Sequence, residues 1–358
     1  ISERNGVYVA TDRFPAACQG TDDSLMFSFY SAFLPSGASL FLPAGTCLTS
    51  VGLSLGNGGP VSNSTKQGIK VIGQGSGFNE AELGPFVSTG TTVEWIGPYD
   101  RSASLIRFAG PGAGFRVEDI SLNGRGNAGV GVRWIHVIHG AATRLTIRNF
   151  TVAGFIHESA APPRSGMATG AGDATISKVQ IFTSTPGAIG VIAGSDDTAT
   201  TGSSGNHWDR VTVLCGNRAG TIGFLVRFTD YIKFSMPQTL FCQESMRFQP
   251  PARGASRTFF PTGIYVNDAA FDVPPSASAD WSPYPNIGAV MSTYHREWNG
   301  GTPSLDSSYG PLFPLHPSIR GTDSLGNTYA PPVTTKPNGR SAAEGPPPTM
   351  LRRTHEPD

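Results

Sequence analysis

Short strands of alternating character recur along the middle of the chain. Asp119-Ile120-Ser121-Leu122, Asn149-Phe150-Thr151-Val152, Lys178-Val179-Gln180-Ile181, Arg210-Val211-Thr212-Val213 and Lys233-Phe234-Ser235-Met236 each read polar, apolar, polar, apolar. A period of two is the signature of a strand with one buried face. The units return every 23 to 32 residues, which predicts one wall of a solenoid. Ile120, Phe150, Val179, Val211 and Phe234 would then stack inside it. Second strands lie between these units, at Gly131-Val132-Arg133-Trp134-Ile135, Ala188-Ile189-Gly190-Val191-Ile192 and Gly223-Phe224-Leu225-Val226. Their glycines predict corners between walls. A doubly wound fold needs long amphipathic helices between strands, and none follows residue 35. A propeller needs hairpin turns, and an Asn-Gly pair follows just one of these strands, at Asn123-Gly124.

The first fifth of the chain is organised differently. Gly20-Thr21-Asp22-Asp23-Ser24 leads into the apolar LMFSFYSAFL, a helix capped by Asp22 or Asp23 and closed by Gly37. Leu40-Phe41-Leu42-Pro43-Ala44-Gly45-Thr46 and Gly68-Ile69-Lys70-Val71-Ile72-Gly73-Gln74-Gly75 follow as strands ended by Pro or Gly. In that order, the three segments resemble the start of the pectate-lyase-like superfamily. There a G-x-T-D-D segment opens a capping helix and PAG-type and GxG-type coils come next. Cys47 stands where the resemblance expects an aromatic residue.

The resemblance implies an all-β fold, a right-handed parallel β-helix with a short capping helix. The organisation expected is 1–37 N-terminal segment and helix, 38–245 coils, 246–300 irregular last coils or cap, and 301–358 an extended Pro/Gly/Ser-rich tail. It further implies a surface or virion protein of tailspike type that contacts cell-surface polysaccharide, cleaves it or not, and assembles as a homotrimer. A secreted monomeric polysaccharide lyase or glycoside hydrolase is the alternative, and a non-catalytic shell or fibre component is a second.

Composition supports many turns. There are 45 Gly and 29 Pro in 358 residues, above the usual shares of about 7% and about 5%. Lys and Arg total 26 against 26 Asp and Glu, so no overall field favours nucleic acid or a membrane surface. No apolar run is long enough to span a membrane. The first residue is Ile, which reads as a trimmed or processed start. An extracellular or virion location is expected. Cys18, Cys47, Cys215 and Cys242 lack zinc-ligand spacing, and no metal or cofactor is expected. They either form two bridges, Cys18–Cys47 and Cys215–Cys242, or remain four buried thiols, the favoured reading.

The repeat register also predicts which side chains face out. One row is Ser121, Thr151, Gln180, Thr212 and Ser235, and the other Asp119, Asn149, Lys178, Arg210 and Lys233. Lys178, Arg210 and Lys233 would place like charges on adjacent coils, which destabilises a sheet and points to an acidic glycan. Long basic side chains splaying into water are the competing account. A Lys or Arg there is also a candidate base for β-elimination. For hydrolysis, Asp209 and Asp230 are the candidate carboxylate pair, with ordinary surface acids as the alternative. Glu118 and Asp119 would face opposite ways, and Asp196-Asp197 reads as a turn. His207-Trp208-Asp209-Arg210 is the densest polar and aromatic cluster, so His207 and Trp208 join the glycan-binding candidates. Trp95, Trp134, Tyr231 and Trp298 either stack on sugar or fill the core. His136 and His139 read as core or corner residues.

Overall fold

The computed structural model describes residues 6–56, 66–76, 90–159, 170–195, 203–227, 229–249, 264–267 and 269–271. It also describes the short strands Ser276–Ala277, Ala289–Met291, Tyr294–Arg296, Arg320–Thr322 and Thr328–Tyr329. The protein is a right-handed parallel β-helix. Its described strands form an 18-stranded and an 11-stranded sheet, and each turn of the chain contributes to both. Pairing between successive coils is parallel throughout the solenoid, as in Arg116–Asn123 on Ala141–Arg148 and that strand on Thr175–Phe182. It continues past residue 245: Ile264–Asn267 pairs with Ile232–Ser235, and Ala289–Met291 with Ile264–Asn267. Most of the predicted tail, 301–358, lies outside the described residues.

The larger sheet is bent. In its central strands one residue sits in the left-handed region: Asp119 at φ 59°, Arg144 at 52°, Lys178 at 54°, Arg210 at 50° and Met236 at 51°. The flanking pairings put all five at one register position. A left-handed non-glycine residue is unfavourable in isolation, so the stacked coils must hold it there. Each divides its strand into a leading and a trailing half. In other coils the halves are separate strands, such as Ser39–Phe41 and Gly45–Thr49. A second left-handed column turns the chain from the smaller sheet into the larger one, through Gly37, Gly68, Gly114, His139, Asp173, Gly205 and Tyr231. The cross-section therefore has corners set by backbone conformation.

The interior is filled by columns. Val117, Ala142, Ile176, Trp208, Phe234 and Val266 stack in the leading half. Ile120, Leu145, Val179 and Val211 stack in the trailing half. The interior row expected at Ile120, Phe150, Val179, Val211 and Phe234 is thus corrected at two positions. The strand of that coil is Ala141–Arg148, and Phe150 plugs the core from the following turn, after left-handed Asn149. Phe234 lies in the Trp208 column. Coil lengths vary, so an identical polar–apolar pattern in a turn looks like a strand.

The smaller sheet contributes Ile106, Val132, Phe155, Val191, Phe224 and Met246 as one inward column. Its glycines do more than turn corners. A Cβ at Gly154 would sit 2.4 Å from Ile181 Cγ2, and one at Gly190 2.4 Å from Val213 Cγ1. Bare glycine lets the two sheets approach there.

At the N-terminal end, the helix Ser24–Phe33 buries Met26, Phe27 and Tyr30, covering coil edges that would otherwise be open. Asp22 Oδ1 accepts the Ser24 amide at 2.9 Å. Asp23 turns inward and accepts the Cys18 amide at 3.1 Å, and burial raises its carboxyl above the ordinary range. Among the described residues no helix is long and apolar enough to cross a membrane.

The cysteines are joined, Cys18 to Cys47 and Cys215 to Cys242, and none is free, which overturns the buried-thiol expectation. Separations of 29 and 27 residues are about one coil each, so parallel stacking brings each pair together. Closing loops of that size restricts the unfolded chain by about 3–4 kcal/mol. Replacing Cys215 and Cys242 by Ser should lower unfolding free energy by about that amount in denaturant titration. Thiol titration of the unfolded, unreduced chain should find no free thiol.

His157 lies fully inside, its ring edge-on to Trp134 with centroids 5.6 Å apart. Its Nε2 is 3.1 Å from the Val137 carbonyl. Burial holds its pKa down to about 4, against 6.5 for the free side chain. Between those values the unfolded chain binds a proton that the folded chain refuses. Stability therefore falls as pH drops through that window, by up to about 3 kcal/mol. In His157→Phe this contribution should vanish, so stability relative to wild type should rise from pH 7 to pH 4 in denaturant titrations. A parallel pH dependence in both proteins would refute the assignment.

Candidate functional site

Five of the predicted residues, Lys178, His207, Asp209, Arg210 and Lys233, meet on the leading half of the larger sheet and its corner. His207–Leu214 pairs with Thr175–Phe182 on one side and Ile232–Ser235 on the other. With Ile176, Trp208 and Phe234 locked inward, the alternate positions must face out. Thr175, His207 and Lys233 form one outward row, and Thr143, Ser177, Asp209 and Ser235 the next. The corner column of Arg144, Lys178 and Arg210 runs beside them. Successive members of a row are roughly 4.8 Å apart, so the cationic groups and hydroxyls repeat at one-strand intervals.

The corner cations differ in their partners. Arg144 grips Asp119 with two hydrogen bonds, Nε to Oδ1 at 2.6 Å and Nη2 to Oδ2 at 2.7 Å, and also reaches Glu118 at 3.7 Å. These contacts hold its guanidinium above the ordinary range. Arg210 Nε donates to Asp209 Oδ2 at 3.1 Å. Lys178 is exposed and makes no ion pair among the described residues. His207 Nε2 and Ser235 Oγ are 3.0 Å apart. Partial burial lowers the His207 pKa, and the Lys233 ammonium lowers it further, against an opposing pull from Asp209.

Several expected placements change. Lys233 is not a rung of the Lys178–Arg210 ladder: it pairs with His207, and Met236 takes the next corner position. Asn149 gives way to Arg144 in that ladder. The outward polar row is Ser121, Thr146, Gln180, Thr212 and Gln238 in the trailing half, so Thr151 and Ser235 leave it. Trp208 is buried and cannot touch a ligand; its ring lies between Phe155 and Phe234. Trp95 and Trp134 are also interior, whereas Tyr231 is 60% exposed at the corner leading to Lys233. Trp298 and Asp196-Asp197 lie outside the described residues. The Asp209–Asp230 pair does not form a facing couple across a coil. Asp209 opposes Ser177 and Ser235, while Asp230 pairs with Ser204 in the other sheet, before the left-handed turn at Tyr231.

A second charged cluster escaped the sequence reading. On the outward face of the smaller sheet, Arg133 donates to Glu158 Oε1 through Nε at 3.0 Å and Nη2 at 2.7 Å, and Arg227 reaches Oε2 at 3.9 Å. Arg107 is the cross-strand neighbour of Arg133, and burial plus that charge lower its guanidinium pKa. Arg107-Phe108 and Arg133-Trp134 share an outward–inward step, the sequence signal for this column.

Cys18, Asp23 and Cys47 are the one metal-capable cluster among the described residues. Their sulfurs are bonded to each other, which leaves no thiolate to hold an ion.

No protein-family profile matches the chain, and no curated protein matches it. Solved structures do match. The catalytic domain of Agl-KA is 14% identical at a TM-score of 0.48, over 82% of this chain and 53% of that one. The phiAB6 tailspike, in complex with oligosaccharides of Acinetobacter baumannii surface polysaccharide, is 13% identical at 0.45, over 91% and 56%. An alginate lyase from Paenibacillus is 15% identical at 0.41, over 74% and 95%. The chain thus spans about half the length of the first two. At such identities no activity passes from them to this chain. What the capping helix and stacked parallel coils establish is an architecture, the right-handed parallel β-helix.

Proposed function

We propose that this protein is a surface- or virion-attached β-helix that binds an acidic cell-surface polysaccharide along the wall carrying Lys178, Arg210, His207 and Lys233, and that it assembles as a homotrimer. One observation carries the binding reading: the corner column Arg144–Lys178–Arg210, in which Lys178 has no acidic partner among the described residues. Stacked like charges oppose the sheet that bears them, and a chain of net charge zero has no general excess to explain them. An anionic polymer lying across the coils relieves that repulsion rung by rung. The hydroxyls of Thr143, Ser177 and Ser235 offer sugar-directed hydrogen bonds beside the cations, and exposed Tyr231 offers a ring face. Two disulfides suit an oxidising location outside the cytosol.

A second reading, cleavage by β-elimination, is favoured by His207. Its pKa is lowered, so it is available as a neutral base beside Lys233, which would neutralise a substrate carboxylate.

Charge reversal at Lys178 and Arg210 should weaken binding to an acidic polysaccharide by at least about tenfold, or 1.4 kcal/mol, in an immobilised-glycan assay. Binding to neutral glycans should not change. Equal affinity of the variant and the wild type would remove this wall as the site. Unsaturated uronate absorbance on incubation with the same polysaccharides would establish elimination.

A further inference from the structure

We propose that Ser235 and His207 are a nucleophile–base pair that hydrolyses O-acyl esters on the polysaccharide held by this wall. The substrate rests on the glycan-binding reading above; the chemistry of the pair does not.

The pair is assembled by tertiary structure from two coils. Ser235 Oγ lies 3.0 Å from His207 Nε2, the separation at which an imidazole can take a hydroxyl proton. The two residues are held from beneath. Trp208 and Phe234, their sequence neighbours, are fully buried and stacked with centroids 6.2 Å apart. A nucleophile and base carried on strands over packed rings are preorganised. Burial and Lys233 keep His207 inclined to its neutral form, in which Nε2 can accept the serine proton.

The surrounding charges suit acyl transfer. Asp209 directly opposes Ser235 and lies two residues from His207, hence on the same outward face. Its carboxylate favours the imidazolium that forms on proton transfer, and Arg210 Nε holds it at 3.1 Å. Lys233 opposes His207 and presents a cation to the oxyanion of a tetrahedral intermediate. Glycoside hydrolysis is less well served. It needs two carboxyl groups, and Asp209 is the single acidic residue of Thr175–Phe182, His207–Leu214 and Ile232–Ser235.

In the reaction, Ser235 Oγ bonds to the acyl carbon while its proton passes to His207 Nε2. The tetrahedral intermediate collapses with cleavage of the bond between acyl carbon and sugar oxygen, and the imidazolium returns the proton to that oxygen. Water then adds to the acyl carbon, losing a proton to His207. Ser235 Oγ departs and recovers that proton, and the carboxylic acid is released. No oxidant, metal or cofactor enters the balance.

The test is covalent labelling of the full chain with diisopropyl fluorophosphate, read by peptide mass spectrometry. Modification is expected at Ser235, with none at that peptide in Ser235→Ala. In His207→Gln the rate should fall by about 100-fold, the lower range for loss of a general base. Circular dichroism and thermal melts would establish that both variants fold. No modification of Ser235 in the folded wild type, or an unchanged rate in His207→Gln, would overturn the pair. Acetate release from an O-acetylated acidic polysaccharide, lost in Ser235→Ala, would extend the chemistry to the glycan. Labelling of Ser235 without polysaccharide binding would remove the glycan reading and leave the pair standing. Binding without labelling would do the reverse.

Discussion

In-register parallel stacking is the constraint on which the rest of this structure depends. Each coil satisfies its backbone groups with the coil above and below, so residues sharing a register position share an environment. That explains how left-handed non-glycine residues persist at Asp119, Arg144, Lys178, Arg210 and Met236. A lone residue at such a φ is unfavourable, but relaxing one rung would break the pairing of two neighbours on each side. The corner is a property of the column.

The same constraint partitions the molecule chemically. Inward columns are apolar and aromatic, running from Phe108 through Trp134, Phe155, Trp208 and Phe234 with successive ring centroids 5.2 to 6.2 Å apart. Outward columns are free to vary, and they hold the charge. On the smaller sheet the cations converge on one buried carboxylate, Glu158, where the arrangement reads as structural. On the larger sheet the cations face solvent beside hydroxyls, and Lys178 is left without an acid among the described residues. Pairing of charge, more than its amount, separates a structural cluster from a binding wall.

The proposed pair inherits its rigidity from this plan. His207 and Ser235 stand directly above the stacked rings of Trp208 and Phe234, so their separation is set by strand spacing and core packing. The disulfide between Cys215 and Cys242 closes the turn after the same strand, joining the coil of His207 to that of Ser235. A covalent tie between these two coils limits the sliding that would part them.

Much of the fold was legible in the sequence because strand alternation and glycine punctuation are local. The existence of coils and the outward direction of Lys178 and Arg210 follow from a period of two, and the capping helix from an apolar run behind Asp22-Asp23-Ser24. Register does not. Coils differ in length, so only the folded chain decides which residue takes the left-handed corner and what then lies beside what. That is why Arg144 rather than Asn149 completes the ladder, and why Lys233 sits opposite His207 rather than on the corner. It also put Trp208 in the core, Asp230 in another sheet and the cysteines within bonding distance. The sequence by itself determined strands that alternate, turns at glycine and a helix to close one end. The tertiary structure decided the His207–Ser235, Arg144–Asp119 and cysteine pairs, because each joins residues about one coil apart, across a separation that no local pattern encodes.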